Sequence, residues 1–600
     1  MAVGYFAGYT AYCGGYYGAN YPHSPCASTY GYLNGDPVQN DIEELLLGKS
    51  DLADRSFGDT HRHIYQNSVG FYAQDDWKIK PRLTLNYGLR YEVNGTIRDT
   101  KNKEANFIPG RGLVQVGQGI SGIHAVDYKD FGPHLGFAWD IFGNGRMALR
   151  GGYSLTFDVA NFGALAAPYG FAQARAGVFT EPNLGFFQIS NASTVGAGTA
   201  DGVDADGNPS IFFDPTDPAA ACYDPVAHTG DYVCFNSATH GPLYGADPTG
   251  VPPFNAFSVV HDFKTPRYHN FNLSLQSELF RNNVLTLTYS GQRGRKLLIY
   301  HDLNASPLGS LDPNTGDVCK SDVACDPSRP FVSTFPDLRH VIAATNLGSS
   351  QYDSLQVSYN QRTWHGLDTQ YNLTWSKCFD LNSVNRGGQG DYPQLNNPLD
   401  LKNNRGLCDH DRTLNFNVGG VYSWPTIRPL GSRLGGGWQL STIYTALSGK
   451  PFSVFKNGGS DPSGQGLRGS SIRDNYDGSP IIYNTRNPDA YVAMVPGQFT
   501  VPDLGTVGNS RRNMLRGPGL SQWDMSLIKN TKINERLSVQ IRWEVYNILN
   551  RANFALASLD NTGTSDQFGT LSQTPDVASG NPVIAQGGPR NMNFALKFIF

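Results

Sequence analysis

The most constraining feature of this sequence is a regular alternation of apolar and polar residues over long stretches. From Leu537 to Val545, Leu537, Val539, Ile541, Trp543 and Val545 alternate with Ser538, Gln540, Arg542 and Glu544. The same pattern occurs in 82–92, 270–279, 283–291, 354–360 and 413–424. A period of two is the signature of a β-strand with two unlike faces. No run of about 18 apolar residues is present, so the sequence predicts many strands and no membrane-spanning helix.

Strand length separates a soluble β-sandwich from a membrane β-barrel, since both have one apolar and one polar face. The alternating segments are about nine to twelve residues long, enough to cross a bilayer when tilted. Strands of ordinary globular proteins are nearer five or six residues. The length of these segments therefore favours a transmembrane barrel.

Aromatic residues collect toward the ends of these segments, as they do at the two lipid–water interfaces of a barrel. The residues concerned are Phe71, Tyr72, Trp77, Tyr87, Tyr91, Trp375, Tyr422, Trp424, Trp523, Trp543 and Tyr546.

The links between the segments alternate between short and long. Short links fall at 78–81, 142–145, 281–282 and 363–366, and long links at 94–129, 158–265, 301–349, 380–411, 450–520 and 553–589. Bacterial barrels have short periplasmic turns and long extracellular loops. The sequence therefore predicts an all-β fold, a transmembrane antiparallel β-barrel of about 14 to 18 strands. A short helix is expected at 41–52, where apolar residues have helical spacing.

Composition agrees with a barrel that has a wet lumen and long loops. Charged residues make up 16% of the chain and aromatic residues 12%, while the mean hydropathy is −0.37. The net charge of −4 offers no basic face for nucleic acid. A soluble protein is the alternative to the barrel.

The eight cysteines form four close pairs in segments predicted to be loops. They are Cys13 and Cys26, Cys222 and Cys234, Cys319 and Cys325, and Cys378 and Cys408. An even number in close pairs favours disulfides and an oxidising compartment. None of these pairs has the CxxC spacing of a zinc or redox site. Spacing alone leaves other connectivities open.

No constellation of catalytic residues stands out. His61 and His63 could place two metal ligands on one side of a strand, but a solvated loop is the more common setting for such a pair. The segment 204–208 (DADGN) resembles part of a calcium loop, yet it lacks the bidentate Glu at the required spacing. The expected lumen charges Arg90, Glu92, Glu278, Arg542 and Glu544 keep a wide interior hydrated. The sequence therefore predicts neither enzyme activity, nor a cofactor, nor a metal site.

Three segments resemble TonB-dependent receptors, and their arrangement is most similar to the Oar-like branch. GFYAQDDWKIKPRLTLNYGLRYE (Gly70 to Glu92) resembles the early barrel hairpin, LSVQIRWEVYNILNRANF (Leu537 to Phe554) the penultimate strand, and NMNFALKFIF (Asn591 to Phe600) the closing strand. This resemblance implies a barrel in the outer membrane of a Gram-negative cell. It also implies uptake of a ligand, which the sequence does not identify, with energy supplied through TonB.

The closing strand places one set of residues on a single face: Met592, Phe594, Leu596, Phe598 and Phe600. A strand edge left open in lipid would have unsatisfied backbone groups, so this strand is expected to pair with the first strand of the barrel. In the family, a final strand ending in an aromatic residue resembles the signal read by the barrel assembly machinery.

The family pattern also includes an N-terminal plug and a TonB box, and neither fits before Ser68. No signal peptide is visible in residues 1–18. We therefore expect a fragment, with residues 1–66 an irregular N-terminal segment that includes partial barrel strands or a loop, and residues 67–600 the barrel. The alternative function is a structural or surface-interaction barrel in the outer membrane without active transport.

Overall fold

The computed structural model describes most of the chain from residue 63 onward. The described residues are 63–100, 102, 105–117, 119–159, 254–335, 338–383, 395–456, 461–467, 472–493, 495–556, 561–575 and 587–600, with the backbone of the short strands Ala53–Phe57, Gly185–Ile189, Phe235–Asn236 and Gly241–Pro242. The helix expected at 41–52 lies outside them.

One 15-stranded sheet dominates this structure, and two of its strands are short side branches, which leaves thirteen strands on the main path. The thirteen are β1 Ser68–Lys80, β2 Leu83–Asn94, β3 Asp127–Asp140, β4 Met147–Phe157, β5 Arg267–Phe280, β6 Asn283–Asp302, β7 Leu338–Trp364, β8 Leu367–Asp380, β9 Leu414–Ser423, β10 Trp438–Leu447, β11 Leu520–Lys532, β12 Ser538–Tyr546 and β13 Asn591–Ile599.

Every strand on this path pairs antiparallel with its neighbours in chain order, so β1 and β13 are the two edges. Both edge strands run toward the short turns. Two strands with the same direction cannot pair antiparallel. An all-antiparallel closure therefore requires an odd number of further strands between β13 and β1, and β1 itself does not supply the antiparallel partner that β13 needs.

The two faces of the sheet have the chemistry that alternation predicts. Leu287 of β6 lies opposite Leu275 of β5 and Val357 of β7, and the row continues through Leu373 and Phe416. The faces predicted for 283–291, 354–360 and 537–545 are confirmed by this register. This apolar face is exposed to the surroundings of the protein, as the wall of a membrane barrel requires.

Glycines on the outward face make room for aromatic rings on the next strand. Gly291 lies opposite Phe271, and a Cβ atom at Gly291 would be 2.2 Å from that ring. Gly151 and Phe137 have the same relation between β3 and β4, with 2.5 Å between the corresponding atoms. In both pairs the ring covers the backbone of the strand beside it, which protects that backbone from lipid.

The predicted lumen charges lie on the opposite face. Arg90 pairs with Glu92, and the Arg542 Nη1 atom is 3.3 Å from Oε1 of Glu544. Glu278 faces Val284 across the β5–β6 turn. Because neighbouring charges of opposite sign share this face, they hydrate the interior without a large net field.

Short turns join the strands at one end of the sheet, as predicted. Residues 81–82, 141–146, 281–282, 365–366 and 533–537 form five of them, and 424–437 forms a longer one. His365 and Gly366 both have positive φ, 51° and 84°. This combination is that of the type I′ turn, whose twist matches a two-residue hairpin.

At the other end β6 and β7 reach 20 and 27 residues, longer than the predicted strands. Both continue beyond the bilayer into the loop region. Short strands there are Ile64–Tyr65, Arg98–Asp99, Ala105–Ile108, Gly112–Gln115, Phe254–Val259, Gly406–Leu407, Pro451–Phe452, Asn475–Tyr476, Phe499–Thr500 and Leu515–Arg516.

Helices are few and short. The α-helices are Asp322–Cys325 and Gly431–Gly435, and the 3-10 helices are Asp326–Ser328, Leu401–Asn404, Arg428–Leu430 and Pro488–Ala490. Within the described residues, no helix has the length and apolar character needed to cross a bilayer.

Candidate functional site

The loops that follow β6, β8, β10 and β12 pack together beyond the extracellular end of the sheet, and we call them the loop assembly. Part of it forms around an apolar cluster from the loops after β10 and β12. The buried members are Phe452, Val454, Tyr491, Val492, Phe499, Leu515, Phe568 and Leu571. A water-excluding core of this kind fixes the relative positions of loops that the chain separates widely.

Arg512 ties the loop after β10 to the end of β8 and to the loop after β8. Its guanidinium forms ion pairs with Asp380 and with Asp409, the latter at 3.0 Å between Nη1 and Oδ1. Its Nε donates to the Asn404 carbonyl oxygen at 3.1 Å. Burial lowers the pKa of Arg512 to about 10, which leaves it charged at neutral pH. A single side chain therefore neutralises two carboxylates from segments far apart in the sequence.

Arg516 makes a second link of the same kind. Its Nη2 lies 2.6 Å from the Asp411 Oδ2 atom, and the other Asp411 oxygen accepts from the Cys378 backbone N–H at 2.7 Å. Cys378 is in turn joined to Cys408 by a disulfide. The segment from Cys408 to Asp411 is thus the point at which the loops after β8 and β10 meet the end of β8.

Arg473 is 2% exposed and is held by neutral acceptors. It donates to the Ser510 carbonyl at 2.8 Å, the Asn404 side chain at 2.8 Å, and the Asn403 side chain at 2.6 Å. Burial lowers the pKa of Arg473 to about 10. The charge is spread over amide dipoles that are fixed in place.

Asp474 follows directly and is buried at 0% exposure. Neither carboxylate oxygen has a hydrogen-bond partner among the described residues. A Cβ atom at Gly563 would approach the carboxylate to 2.3 Å, and Val454 and Phe499 line the same spot. Burial raises the pKa of Asp474 to about 6, against the opposing effect of Lys456. This carboxyl is poised to gain or lose its proton near neutral pH.

A second polar cluster lies at the extracellular ends of β6 and β7, beyond the membrane. The Asp302 Oδ2 atom is 2.6 Å from Nδ1 of His340. Arg329 is 2% exposed, and its Nε pairs with Asp326 at 2.7 Å. Arg339 pairs with the other Asp326 oxygen at 3.0 Å. The alternating charges hold the loop after β6 onto the start of β7.

The segment 461–467, in the loop after β10, connects that loop with the loop after β6. The Asp461 carboxylate accepts from the backbone N–H groups of Ser463, Gln465 and Leu467 at 2.8–3.0 Å, which folds the segment into a compact turn. The Ser463 carbonyl oxygen of this turn accepts a hydrogen bond from the Gly309 N–H of the loop after β6 at 2.8 Å. The loops after β6 and β10 therefore form one continuous surface.

Exposed apolar side chains flank this junction. Leu308, Leu311 and Leu504 are 45%, 54% and 52% exposed. Gly309 and Gly505 approach closely between them, with 3.7 Å from a built Cβ at Gly309 to the Gly505 Cα. The junction thus presents an apolar surface to the outside.

The structure places the predicted site residues as follows. Cys319 and Cys325 form one disulfide and Cys378 and Cys408 another, and Cys13, Cys26, Cys222 and Cys234 lie outside the described residues. Cys378 belongs to β8 rather than to a loop, which corrects the prediction. It lies at the extracellular end of that strand, where burial and pairing continue past the membrane.

The candidate metal residues are described only in part. His61 and 204–208 lie outside the described residues, and His63 is exposed. Cys378, Cys408 and His410 are close enough to act as metal ligands. The two sulfurs are bonded to each other, however, so His410 alone keeps a ligand atom available.

The buried arginines of the loop assembly were not predicted from the sequence. The sequence offers only composition here: Asp409 and Asp411 flank His410 in a short acidic segment, and five arginines occur within 473–516. Pairing across about one hundred residues has no local pattern, so only the fold reveals it.

The fold and the loop assembly define a membrane β-barrel with an elaborate outer face. The sequence profile described as the outer membrane beta barrel domain matches residues 7–591. The chain belongs to this family, and it is an outer-membrane protein. Comparison with curated proteins gives no match.

Solved structures with a similar arrangement include three outer-membrane proteins. They are the transporter YddB of Escherichia coli (10% identity, TM-score 0.37, 90% of this chain and 55% of that one), the ferripyoverdine receptor of Pseudomonas aeruginosa (9%, 0.37, 90% and 39%) and the iron transporter FrpB of Neisseria meningitidis (9%, 0.37, 90% and 46%). The chain spans about half the length of these proteins or less. The family assignment rests on the sequence profile and not on these neighbours.

Proposed function

We propose that this chain forms the membrane wall and the outer capture surface of a TonB-dependent receptor that imports a ligand not yet identified. The observation that carries the proposal is the loop assembly. Its ion pairs, disulfides and apolar clusters hold several long loops in one arrangement above the sheet. A barrel that only fills the membrane needs no such order at one end.

Order in the loops matters because binding to flexible loops loses affinity to the entropy of ordering them. Loops already fixed by buried ion pairs present their outward groups without that loss. The apolar junction around Leu308 and Leu504 is part of this outward surface. It suits a solute or partner with an apolar portion, which would cover these leucines on binding.

The resemblance of 70–92, 537–554 and 591–600 to TonB-dependent receptors of the Oar-like branch supports coupling to TonB. In this proposal, residues 67–600 supply the barrel. The strand that ends at Phe600 is the segment offered to the barrel assembly machinery. The apolar face contacts outer-membrane lipid. The proposal assigns no catalytic step.

The test compares solute uptake in the host with the gene deleted, restored, or restored as the Leu308→Asp, Leu504→Asp variant. Mass spectrometry follows the disappearance of every solute of a defined medium, with and without a protonophore. We expect uptake of at least one solute to be lost in the deletion strain, in the variant and under the protonophore. Leu430→Asp is the matched control, since Leu430 is similarly exposed at 53% but lies in the 424–437 turn at the opposite end of the sheet.

An unchanged solute profile in the deletion strain, together with greater sensitivity to large antibiotics or detergent, would contradict the transport proposal. It would support the structural barrel instead. Uptake that is lost in the deletion strain but insensitive to the protonophore would contradict the coupling to TonB and leave a passive channel.

A further inference from the structure

Two arginines stand directly opposite each other on the outward face of the sheet. Arg267 of β5 and Arg295 of β6 are Cα partners in the antiparallel register. Both share the parity of Leu275 and Leu287, which face outward. Residues paired in this way have Cβ atoms roughly 4.5–5.5 Å apart, and like charges at that separation repel and destabilise the sheet. The pair therefore needs an anion to be favourable.

No carboxylate of the described residues supplies that anion. On the same face, Asp353 lies opposite Gly291, four residues along β6 from Arg295, and it already pairs with Arg293 at 2.8 Å. The same carboxylate accepts from the Tyr289 hydroxyl at 2.7 Å. Arg295 is exposed, and within the described ranges its side chain donates only to its neighbour's carbonyl oxygen, from Nη1 to Gly294 O at 2.9 Å.

The carboxylate of Asp130 also interacts electrostatically with Arg267. Asp130 is buried, however, and its side chain lies on the opposite face of β3 from Phe131. Its side chain accepts a hydrogen bond from Thr265, and no ion pair joins it to Arg267 within the described part of the chain. The outward surface here consequently keeps the charges of Arg267 and Arg295, whereas the charge of Arg293 is paired with Asp353.

The height of the pair matches the head-group layer of a bilayer. Arg295 is twelve residues along β6 from Asn283 at the periplasmic turn. With a rise of about 3.4 Å per residue and a tilt of about 40°, this distance places it roughly 30 Å above the turn. The apolar band of such barrels is about 25 Å tall. The guanidinium groups therefore lie just outside the hydrocarbon.

The rows below the pair complete the expected order of layers. Arg293 lies over the Phe271 ring, 5.2 Å from its centroid. Tyr153 of β4 is opposite Phe271, and Leu273 and Leu275 continue the face downward. From the extracellular end toward the bilayer centre, the side chains on this face are first cationic, then aromatic and then aliphatic. An amphipathic lipid has the same order from head group to chain.

We propose that Arg267 and Arg295 bind the phosphate of an anionic lipid of the outer leaflet. Two guanidinium groups on adjacent strands offer paired N–H donors that fit phosphate oxygens, and a phosphate removes their mutual repulsion. The aliphatic rows beneath receive the acyl chains. The bound lipid holds β5 and β6 together below the point at which β6 continues into the loop assembly.

The experiment uses the full chain, refolded in a neutral maltoside detergent, and follows its thermal midpoint. Phosphatidylglycerol, phosphatidylcholine and inorganic phosphate are added separately at equal phosphate concentration. We expect phosphatidylglycerol to raise the midpoint by several degrees and the other two to raise it little. The Arg267→Gln, Arg295→Gln double variant should lose this shift, and in lipid-free detergent it should melt at the same temperature as the wild type or higher.

Arg150→Gln is the matched control because Arg150 lies on the lumen face of β4, where it donates to Gln276 at 2.5 Å. It should keep the full shift with phosphatidylglycerol. Arg295→Lys, which keeps the charge but not the planar fork, should keep part of the shift.

Three results would overturn the proposal. The first is an equal shift with phosphatidylcholine, which would show a general lipid effect. The second is an equal shift with inorganic phosphate, which would show a site for soluble anions. The third is a double variant that keeps the phosphatidylglycerol shift, which would place any lipid contact elsewhere.

Discussion

The membrane wall and the loop assembly bury opposite kinds of residue. Phe594 of the wall is 76% exposed, whereas Phe568 of the loop assembly is 3% exposed. Arg512 and Asp474, by contrast, are buried in the loop assembly. The wall meets lipid, so its apolar groups face outward and its backbone is satisfied by strand pairing. The loop assembly meets water and therefore has an ordinary apolar core, in which Arg512 is paired with carboxylates, while Asp474 has no hydrogen-bond partner among the described residues.

The chain therefore meets lipid in one region and water in the other, and the position of a residue is specified in a different way in each. In the wall, a period of two along each strand is enough to specify which face a residue occupies. In the loop assembly, position depends on individual long-range pairs such as Arg512 with Asp380. A change in one region should therefore leave the other largely intact, and each prediction below uses this independence.

The largest effect is expected from Arg512→Met. The substitution leaves Asp380 and Asp409 without their shared cation, and removing one member of a buried ion pair costs about 3–5 kcal/mol. Limited proteolysis should cut the loops after β8 and β10, while the heat-modifiable gel band of the folded barrel persists. Arg511→Met is the control, since Arg511 is adjacent and exposed. Simultaneous loss of the barrel band would show that wall and loop assembly are not independent.

A charge on the wall should have the converse effect. Leu287→Arg places a cation on the outward face near the bilayer midplane, at a cost of about 2–4 kcal/mol. Urea unfolding in lipid vesicles measures this loss. The neighbouring Thr288→Arg faces the lumen and should cost much less. If both substitutions are tolerated equally, the assignment of the two faces is wrong.

Much of the wall could be predicted from the sequence because its signals are local. Tyr289 and Thr288 reveal their faces by position alone, and His365-Gly366 marks its turn by residue type. The extension of β6 and β7 could not be predicted, since 292–302 and 338–349 lose the clean alternation where both sides meet protein. The pairing of Arg473 with Asn403 and Asn404 had no local signal either.

A smaller effect is expected from pH on the loop assembly. Burial raises the pKa of Asp474 from 3.8 to about 6, so the folded state holds the proton more tightly than the unfolded chain does. This contribution to stability is complete below about pH 4 and is lost as the pH rises through 6, by about 2–3 kcal/mol in all.

Hydrogen exchange of residues 452–515 between pH 4.5 and 7.5 should show faster opening at the higher pH, after correction for intrinsic exchange. Asp474→Asn keeps the shape without the titration and should flatten this dependence. A wild-type profile that matches the Asn variant would mean that Asp474 keeps its charge when buried.

The smallest effect compares the two disulfides of the loop assembly. Cys378 and Cys408 are 30 residues apart, whereas Cys319 and Cys325 are 6 apart. A longer closed loop loses more entropy in the unfolded chain when it is linked, and the logarithmic dependence gives a difference of about 1.4 kcal/mol. The Cys378→Ser, Cys408→Ser variant should therefore lose more stability than Cys319→Ser, Cys325→Ser, as measured by the urea midpoint of loop proteolysis.

Replacing both cysteines of a pair avoids leaving a free thiol in either variant. An equal loss would indicate that packing of Cys319 against the 461–467 segment, through its contact with the Gly464 carbonyl at 3.3 Å, contributes as much as the link itself.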